Sequence, residues 1–157
     1  MSKLSSSIKA ILRGHILPGK RVLELFPGCH KDSIEFLYYL TGKKITAIGG
    51  EDKPHSFHLR YYEQTIPPYP RFFRKFDYIF LNEAEWIICA EHGYPVDYSK
   101  FPTKGIEFIQ TNLKKNGKFV ISKIHKEVAR LILKWLNLYG KYSLSYKKNV
   151  AVFTKNR

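Results

Sequence analysis

The stretch Val22-Leu23-Glu24-Leu25-Phe26-Pro27-Gly28-Cys29-His30 decides how the rest of the chain is read. Its first part lacks the polar and apolar alternation of a half-solvated strand, so residues 21–25 are expected to form a strand buried on both faces. Pro27-Gly28 then breaks it in a tight turn. A helix is expected from Asp32, as N-cap, through Ile34, Phe36, Leu37 and Leu40 to Gly42. A buried strand that passes through a glycine turn into a helix start brings free backbone amides to the strand's carboxyl end, where a ligand can approach closely.

The alternation of strand and helix extends in both directions. Upstream, Leu4, Ile8, Ile11 and Leu12 fall at helical spacing, and Gly14 and Pro18-Gly19 close that helix. Downstream, residues 44–48 read as a second strand ending in Gly49-Gly50-Glu51-Asp52, and residues 54–63 read as helical. The run Pro67-Pro68-Tyr69-Pro70 demands an extended loop. A third strand belongs between Gln64 and Phe73, without a fixed place. Residues 76–81 form an apolar run of strand length, and a short helix is expected over 83–91. A helix over 103–115 ends at Asn116-Gly117, a strand follows over 118–122, and a long helix over 125–139 stops at Gly140. Two β-prone segments, 142–146 and 149–154, close the chain. This order predicts an α/β fold, a three-layer sandwich around a mostly parallel, Rossmann-like sheet of about six strands ending in an antiparallel β pair. Residues 1–157 are read as one domain, with 1–19 as an N-terminal helix and lead-in.

Composition narrows the class. A chain of 157 residues that is 44% hydrophobic can bury a real core. With only Cys29 and Cys89, a disulfide scaffold is excluded. No run of about eighteen apolar residues occurs, and the first twenty residues show a charged, polar helical pattern in place of a signal-peptide core. A soluble, intracellular (cytoplasmic) protein with no membrane partner is therefore expected. Charge points to the partner: 27 Lys and Arg against 13 Asp and Glu give a net charge of +14, enough to attract polyanions, and nucleic acid (RNA or DNA) is the expected one. The excess lies toward the end of the chain, where Glu127 is the only acid beyond Glu107. Lys123, Lys126 and Arg130 there, and Arg71, Arg74 and Lys75 in the aromatic-rich segment PPYPRFFRK, are the expected nucleic-acid contacts. Phe72 and Phe73 of that segment serve either as base-stacking rings or as core anchors.

The order of motifs resembles the class I, S-adenosylmethionine-dependent methyltransferase family over roughly residues 20–155. RVLELFPGC is similar to that family's first motif, closest to the LDLFAGSG form of nucleic-acid methyltransferases. ITAIGGED is similar to its second strand with a terminal acid, KFDYIFLNEAEW to the fourth strand and catalytic loop, and LKKNGKFVIS to the fifth strand. The resemblance implies S-adenosylmethionine as cofactor and methyl transfer to nucleic acid. It assigns Gly28 to the close approach of the cofactor and Glu24 to the methionine moiety or its glycine loop. Glu51, or Asp52 one place on, would accept hydrogen bonds from the ribose hydroxyls. Asn82 matches the first position of the Asp/Asn-Pro-Pro-aromatic motif of amine-methylating members, whose prolines are absent here. Glu83 or Glu85 is the candidate general base and Trp86 the candidate stacking ring. Cys29-His30 departs from a loop that often carries two or three glycines, and a Cβ there takes up room beside a ligand. Pro67-Pro68-Tyr69 spells half of the catalytic motif but precedes the strand.

Two rival functions and one rival metal site fit the same residues. A degenerate methyltransferase-like domain would bind only nucleic acid or protein. A metal-dependent nuclease or nucleotidyltransferase would use Glu51, Asp52, Asp77, Glu83 and Glu85 as hard oxygen ligands. Cys29-His30 and Cys89-x-x-His92 would meet as zinc ligands only if the fold brought them together. No residue is assigned to a metal.

Overall fold

All four residues of β1 (Val22–Leu25) are buried, because β1 lies inside a sheet with helices on both faces. The structure, a computed structural model, describes residues 4–63 and 69–157. The other strands are β2 (Ile45–Gly49), β3 (Leu59–Glu63), β4 (Phe76–Leu81), β5 (Leu113–Ser122), β6 (Tyr142–Lys147) and β7 (Val150–Lys155). They form one sheet in the order β3-β2-β1-β4-β5-β7-β6. β1 pairs in parallel with β2 and β4, β3 with β2, and β5 with β4, whereas β7 runs antiparallel between β5 and β6. The expected α/β sandwich with an antiparallel end is therefore present, with seven strands among the described residues.

Side chains that alternate along each strand supply two cores. Val22, Ile45, Ala47, Tyr78 and Phe80 face α1 (Ser6–His15) and α2 (Asp32–Thr41) through Ile8, Leu12, Ile34 and Leu37. Leu23, Leu25, Ile79, Leu81, Phe119 and Ile121 face α3 (Trp86–His92), α4 (Thr103–Asn112) and α5 (Lys126–Leu136). The α1 start is capped by Ser5, whose Oγ accepts from the Ile8 amide at 3.2 Å. No helix among the described residues is long and apolar enough to cross a membrane.

Four local readings of the sequence are corrected. Residues 54–63 are not a helix. A loop runs over the flank of α2, where His58 stacks on Tyr38 at 3.7 Å and bonds Glu35, and the chain then enters β3. In β3, Leu59 and Tyr61 turn inward while Arg60 faces solvent, a strand alternation that aromatic content concealed. The third strand thus ends at Glu63, before the 64–73 window assigned to it. Residues 64–68, which include Pro67 and Pro68, lie outside the described residues. Asp32 is the first residue of α2, and Lys31 occupies the N-cap without a side-chain bond. Finally, α4 stops at Asn112, and Asn116-Gly117 belongs to an irregular entry into β5 where the pairing with β4 shifts register. Asn116 has a φ of 67°, and Leu113 is fully buried. That burial draws this segment into the sheet.

Gly117 is required by that entry. A Cβ there would stand 2.7 Å from the Lys114 carbonyl oxygen and 3.0 Å from that of Asp77. Gly117→Ala is expected to destabilise the fold by about 1–3 kcal/mol, read as a lower urea midpoint at unchanged slope. An unchanged midpoint would mean that the entry relaxes freely.

Candidate functional site at the switch point

The strand order reverses direction between β1 and β4, so the loops leaving their carboxyl ends diverge and open a cleft. Phe26, Pro27, His30, Asp32 and Ser33 line one wall, and Asn82, Glu83 and Trp86 the other. The turn after β1 is sharp because Phe26 and Gly28 both take left-handed conformations, with φ of 54° and 66°. For Phe26 this costs about 1–2 kcal/mol, and the Phe26 amide offsets part of it by donating to the Ile48 carbonyl at 2.8 Å. The Phe26 ring then stands 6.2 Å from that of Trp86, whose other neighbour is Tyr94 at 5.9 Å. With these rings in place the cleft holds about 10 Å³ of free space, that of one water.

Glu24 lies beneath this turn and is completely buried. Its Oε2 accepts from Ser33 Oγ at 2.6 Å, while Oε1 has no partner among the described residues. Burial, only partly opposed by the Ser33 hydroxyl, pushes the carboxyl up to about 8. A buried carboxyl with a vacant oxygen is suited to a cationic or hydrogen-donating ligand. Asp32, also on the cleft wall, accepts from the Leu4 amide at 2.8 Å and stands 3.7 Å from Lys9.

At the end of β2, Glu51 and Asp52 are exposed on the loop beyond the strand. The strand's own last position is Gly49, and a Cβ there would run into the Tyr61 hydroxyl. That hydroxyl donates to the Gly50 carbonyl at 2.6 Å, so Tyr61 ties down the loop that carries both acids.

On the β4 side, Ser122 at the end of β5 donates to the Asn82 backbone carbonyl at 3.1 Å and to Asn82 Oδ1, which fixes the amide at the cleft. Glu83 also lines a second cleft of about 260 Å³ formed with Ala84, Glu85, Tyr98, Lys123, Ile124, His125 and Val128. Two adjoining clefts therefore meet at Glu83.

The fold thus brings Glu24, Gly28, Asn82, Glu83 and Trp86 to one place, with Glu85 in the adjoining cleft and Glu51 and Asp52 on a neighbouring loop. It does not assemble the carboxylate set of a nuclease. Asp77 sits at the amino end of β4, where it accepts from the Arg21 amide at 2.8 Å and pairs with Lys114 at 3.3 Å. Among the described residues no group of three or more His, Cys, Asp and Glu side chains is arranged to hold a metal ion. Cys29 is exposed on the β1 turn, whereas Cys89 is buried in α3, where burial raises its thiol against the opposing Tyr94 hydrogen bond. The six expected nucleic-acid contacts divide between the sheet's two ends. Arg71, Arg74 and Lys75 precede β4, whereas Lys123 follows β5 and Lys126 and Arg130 lie on α5. Phe72 is a core anchor, 5.2 Å from Phe76, and Phe73 is fully exposed.

Sequence reasoning missed Ser33, Ser122, Tyr61 and Tyr98. Only Ser33 had a usable signal, because a buried acid needs a donor and Ser33 opens the helix that follows.

Glu24 makes stability depend on pH. Its folded-state pKa is above the unfolded value of 4.5, so its contribution is fully present below about 4.5 and is lost as pH rises to about 8. Each unit is worth about 1.4 kcal/mol. Compared with Glu24→Gln, the wild type is expected to lose Tm steadily between about pH 5 and 8. Parallel profiles would refute the raised value.

No protein-family model matches the sequence, and no curated protein does. Solved structures do match over nearly the whole chain. A methyltransferase from Pyrococcus furiosus is similar with a TM-score of 0.69 at 15% identity, over 96% of this chain and 81% of that one. The N-methyltransferase NodS from Bradyrhizobium japonicum gives 0.63 at 13% identity, over 96% and 94%. A protein named as a ribosomal RNA methyltransferase from Plasmodium falciparum gives 0.61 at 12%, over 98% and 97%. The chain has the Rossmann-like fold of the class I S-adenosylmethionine-dependent methyltransferases.

Proposed function

We propose that this protein transfers a methyl group from S-adenosylmethionine to nucleic acid, with the cofactor at the switch point and the acceptor in the adjoining cleft. The observation that carries the reading is Glu24, a fully buried carboxyl beneath the glycine turn with one oxygen unpartnered among the described residues. The donor set suits a cation: Asp32 and Glu83 add carboxylates to the wall, and the Phe26 and Trp86 rings add π-faces. When bound, the cofactor supplies a methyl on a positively charged sulfonium. Glu24 would hold its methionine end, Gly28 would let the backbone approach, and Glu51 or Asp52 would accept from the ribose hydroxyls. With free space for a single water, Phe26 and Trp86 must part to admit it.

The chain's own chemistry lies at the junction of the clefts. Asn82, held by Ser122, accepts from and aligns the acceptor. Glu83, common to both clefts, is placed to take the acceptor's proton, and Glu85 stands beside it. Tyr98 in the second cleft, with Trp86, offers rings for a base, while Lys123, Lys126 and Arg130 draw phosphate toward that end. Rate enhancement would come mainly from proximity and alignment. The basic charge and a similar structure named for ribosomal RNA methylation support nucleic acid as acceptor. A domain that binds nucleic acid without cofactor is the second reading, favoured by the narrow cleft and by Gly49, which leaves no acid at the end of β2.

Calorimetric titration with S-adenosylmethionine, and separately with its neutral demethylated product, tests the choice. Saturable binding of both is expected. Trp86→Ala should weaken the sulfonium form by about 5- to 30-fold and the neutral form less, because only the former loses a cation–π contact. Absence of binding at millimolar ligand would overturn the methyltransferase and leave the cofactor-free domain.

A further inference from the structure

The amino ends of the strands, opposite the switch point, carry a second concave surface. A cleft of about 300 Å³ opens there across β1, β2, β3 and β4, lined by Arg21, Lys43, Lys44, Arg60 and Arg74 over a floor that includes Phe76. No acid lines it. Asp77, the acid close enough to act on Arg21, is already engaged by the Arg21 amide and by Lys114. Arg21 is held in place: its Nη1 donates to the Lys75 carbonyl at 2.7 Å, and its guanidinium lies 4.6 Å from the centre of the Phe76 ring. Burial, then repulsion from Arg74, lowers its pKa, with Arg60 adding to the repulsion against Asp77. Five cations in a concavity with no lining acid repel one another, and a concave wall focuses their field on whatever enters.

The arrangement is a row. Arg60 belongs to β3, Lys43 and Lys44 lead into β2, Arg21 into β1 and Arg74 into β4, and these four strands are consecutive in the sheet. At about 4.8 Å per strand the row spans roughly 14 Å, longer than one phosphate and matched to several in sequence. Phe73, next to Arg74, projects fully into solvent, and an exposed ring among cations suits an unpaired base.

We infer that this cleft docks a single strand of nucleic acid, with the row from Arg60 to Arg74 following successive phosphates and Phe73 stacking an adjoining base. The inference rests on the nucleic-acid part of the function above and not on methyl transfer. The site lies one strand length, about 13–20 Å, from the switch point, so it would hold flanking nucleotides and leave the catalytic end clear.

Fluorescence anisotropy with labelled 20-nucleotide single-stranded RNA and DNA, without cofactor and between 50 and 200 mM salt, tests it apart from methylation. Lys43→Ala/Lys44→Ala/Arg60→Ala changes only exposed residues, and Lys134→Ala/Lys141→Ala/Lys147→Ala removes equal charge elsewhere. The cleft variant is expected to lose at least about tenfold in affinity and to lower the log–log salt slope by about 2–3. The control should lose less than about threefold. Phe73→Ala should weaken binding by about fivefold or more. Equal losses in the two triple variants would overturn the site in favour of diffuse charge, and unchanged binding in Phe73→Ala would overturn single-strand docking. Binding to phosphatidylserine vesicles that needs these cations, when nucleic-acid binding does not, would reassign the face to a membrane surface and overturn it too. A cleft variant that still binds cofactor while losing the oligonucleotide separates this inference from the cofactor assignment.

Discussion

The parallel pairing of β1 with β4 is the constraint on which the other features depend. It places Val22–Leu25 between two strands and under helices on both sides, so every side chain of β1 is buried whatever its chemistry. Three of the four positions accept this at no cost, and the fourth is occupied by Glu24, which must be partnered or uncharged. The same pairing separates the turn after β1 from the loop after β4, and the cleft is the gap between them. Scaffold and cleft therefore share one origin: the strand that gives the sheet its centre also carries the buried carboxyl beneath the cleft.

The strands that proved legible were those buried most completely. β1, β2 and β4 are short apolar runs, and the β6–β7 hairpin is signalled by its turn, where Lys148 and Asn149 both have positive φ. β3 was misread because half of it faces water and its aromatic residues fit a helical spacing as well as an alternating one. The start of β5 was misread because Asn116-Gly117 is typical both of a helix end and of a β irregularity, and only the burial of Leu113 decides between them. At the cleft, Glu24, Gly28, Asn82, Glu83 and Trp86 were legible through the motifs that resemble the methyltransferase family, whereas the strand order that makes β1 and β4 neighbours was not. Ser122 and Tyr61 were not, since each acts on a loop 40 or 11 residues away in the chain. The basic cleft was equally hidden, because its cations come from the entrances of four different strands.

The end of β2 shows how this chain departs from the pattern its motifs resemble. A tyrosine on the neighbouring strand fills the space a strand-end side chain would need, and it secures the Gly50 carbonyl in doing so. The acids are displaced two and three residues onward, to an exposed loop. Any ligand hydroxyl that reaches this side meets a phenol and two exposed carboxylates on a loop in place of one strand-end acid, so recognition there has more geometric latitude and less preorganisation.

The loop that takes the place of a helix between β2 and β3 has a further consequence. β3 is an edge strand, and on the α2 side it is covered by a loop anchored through the His58–Tyr38 stack and the His58–Glu35 pair. The opposite edge, β6, is backed by α5, whose Trp135 and Leu136 are buried. Cooperative units that open below the global unfolding free energy form where apolar cover is thin. The two margins of the sheet are thus expected to differ in amide-exchange protection: β3 should open early, whereas β7, buried along most of its length, should open with the core.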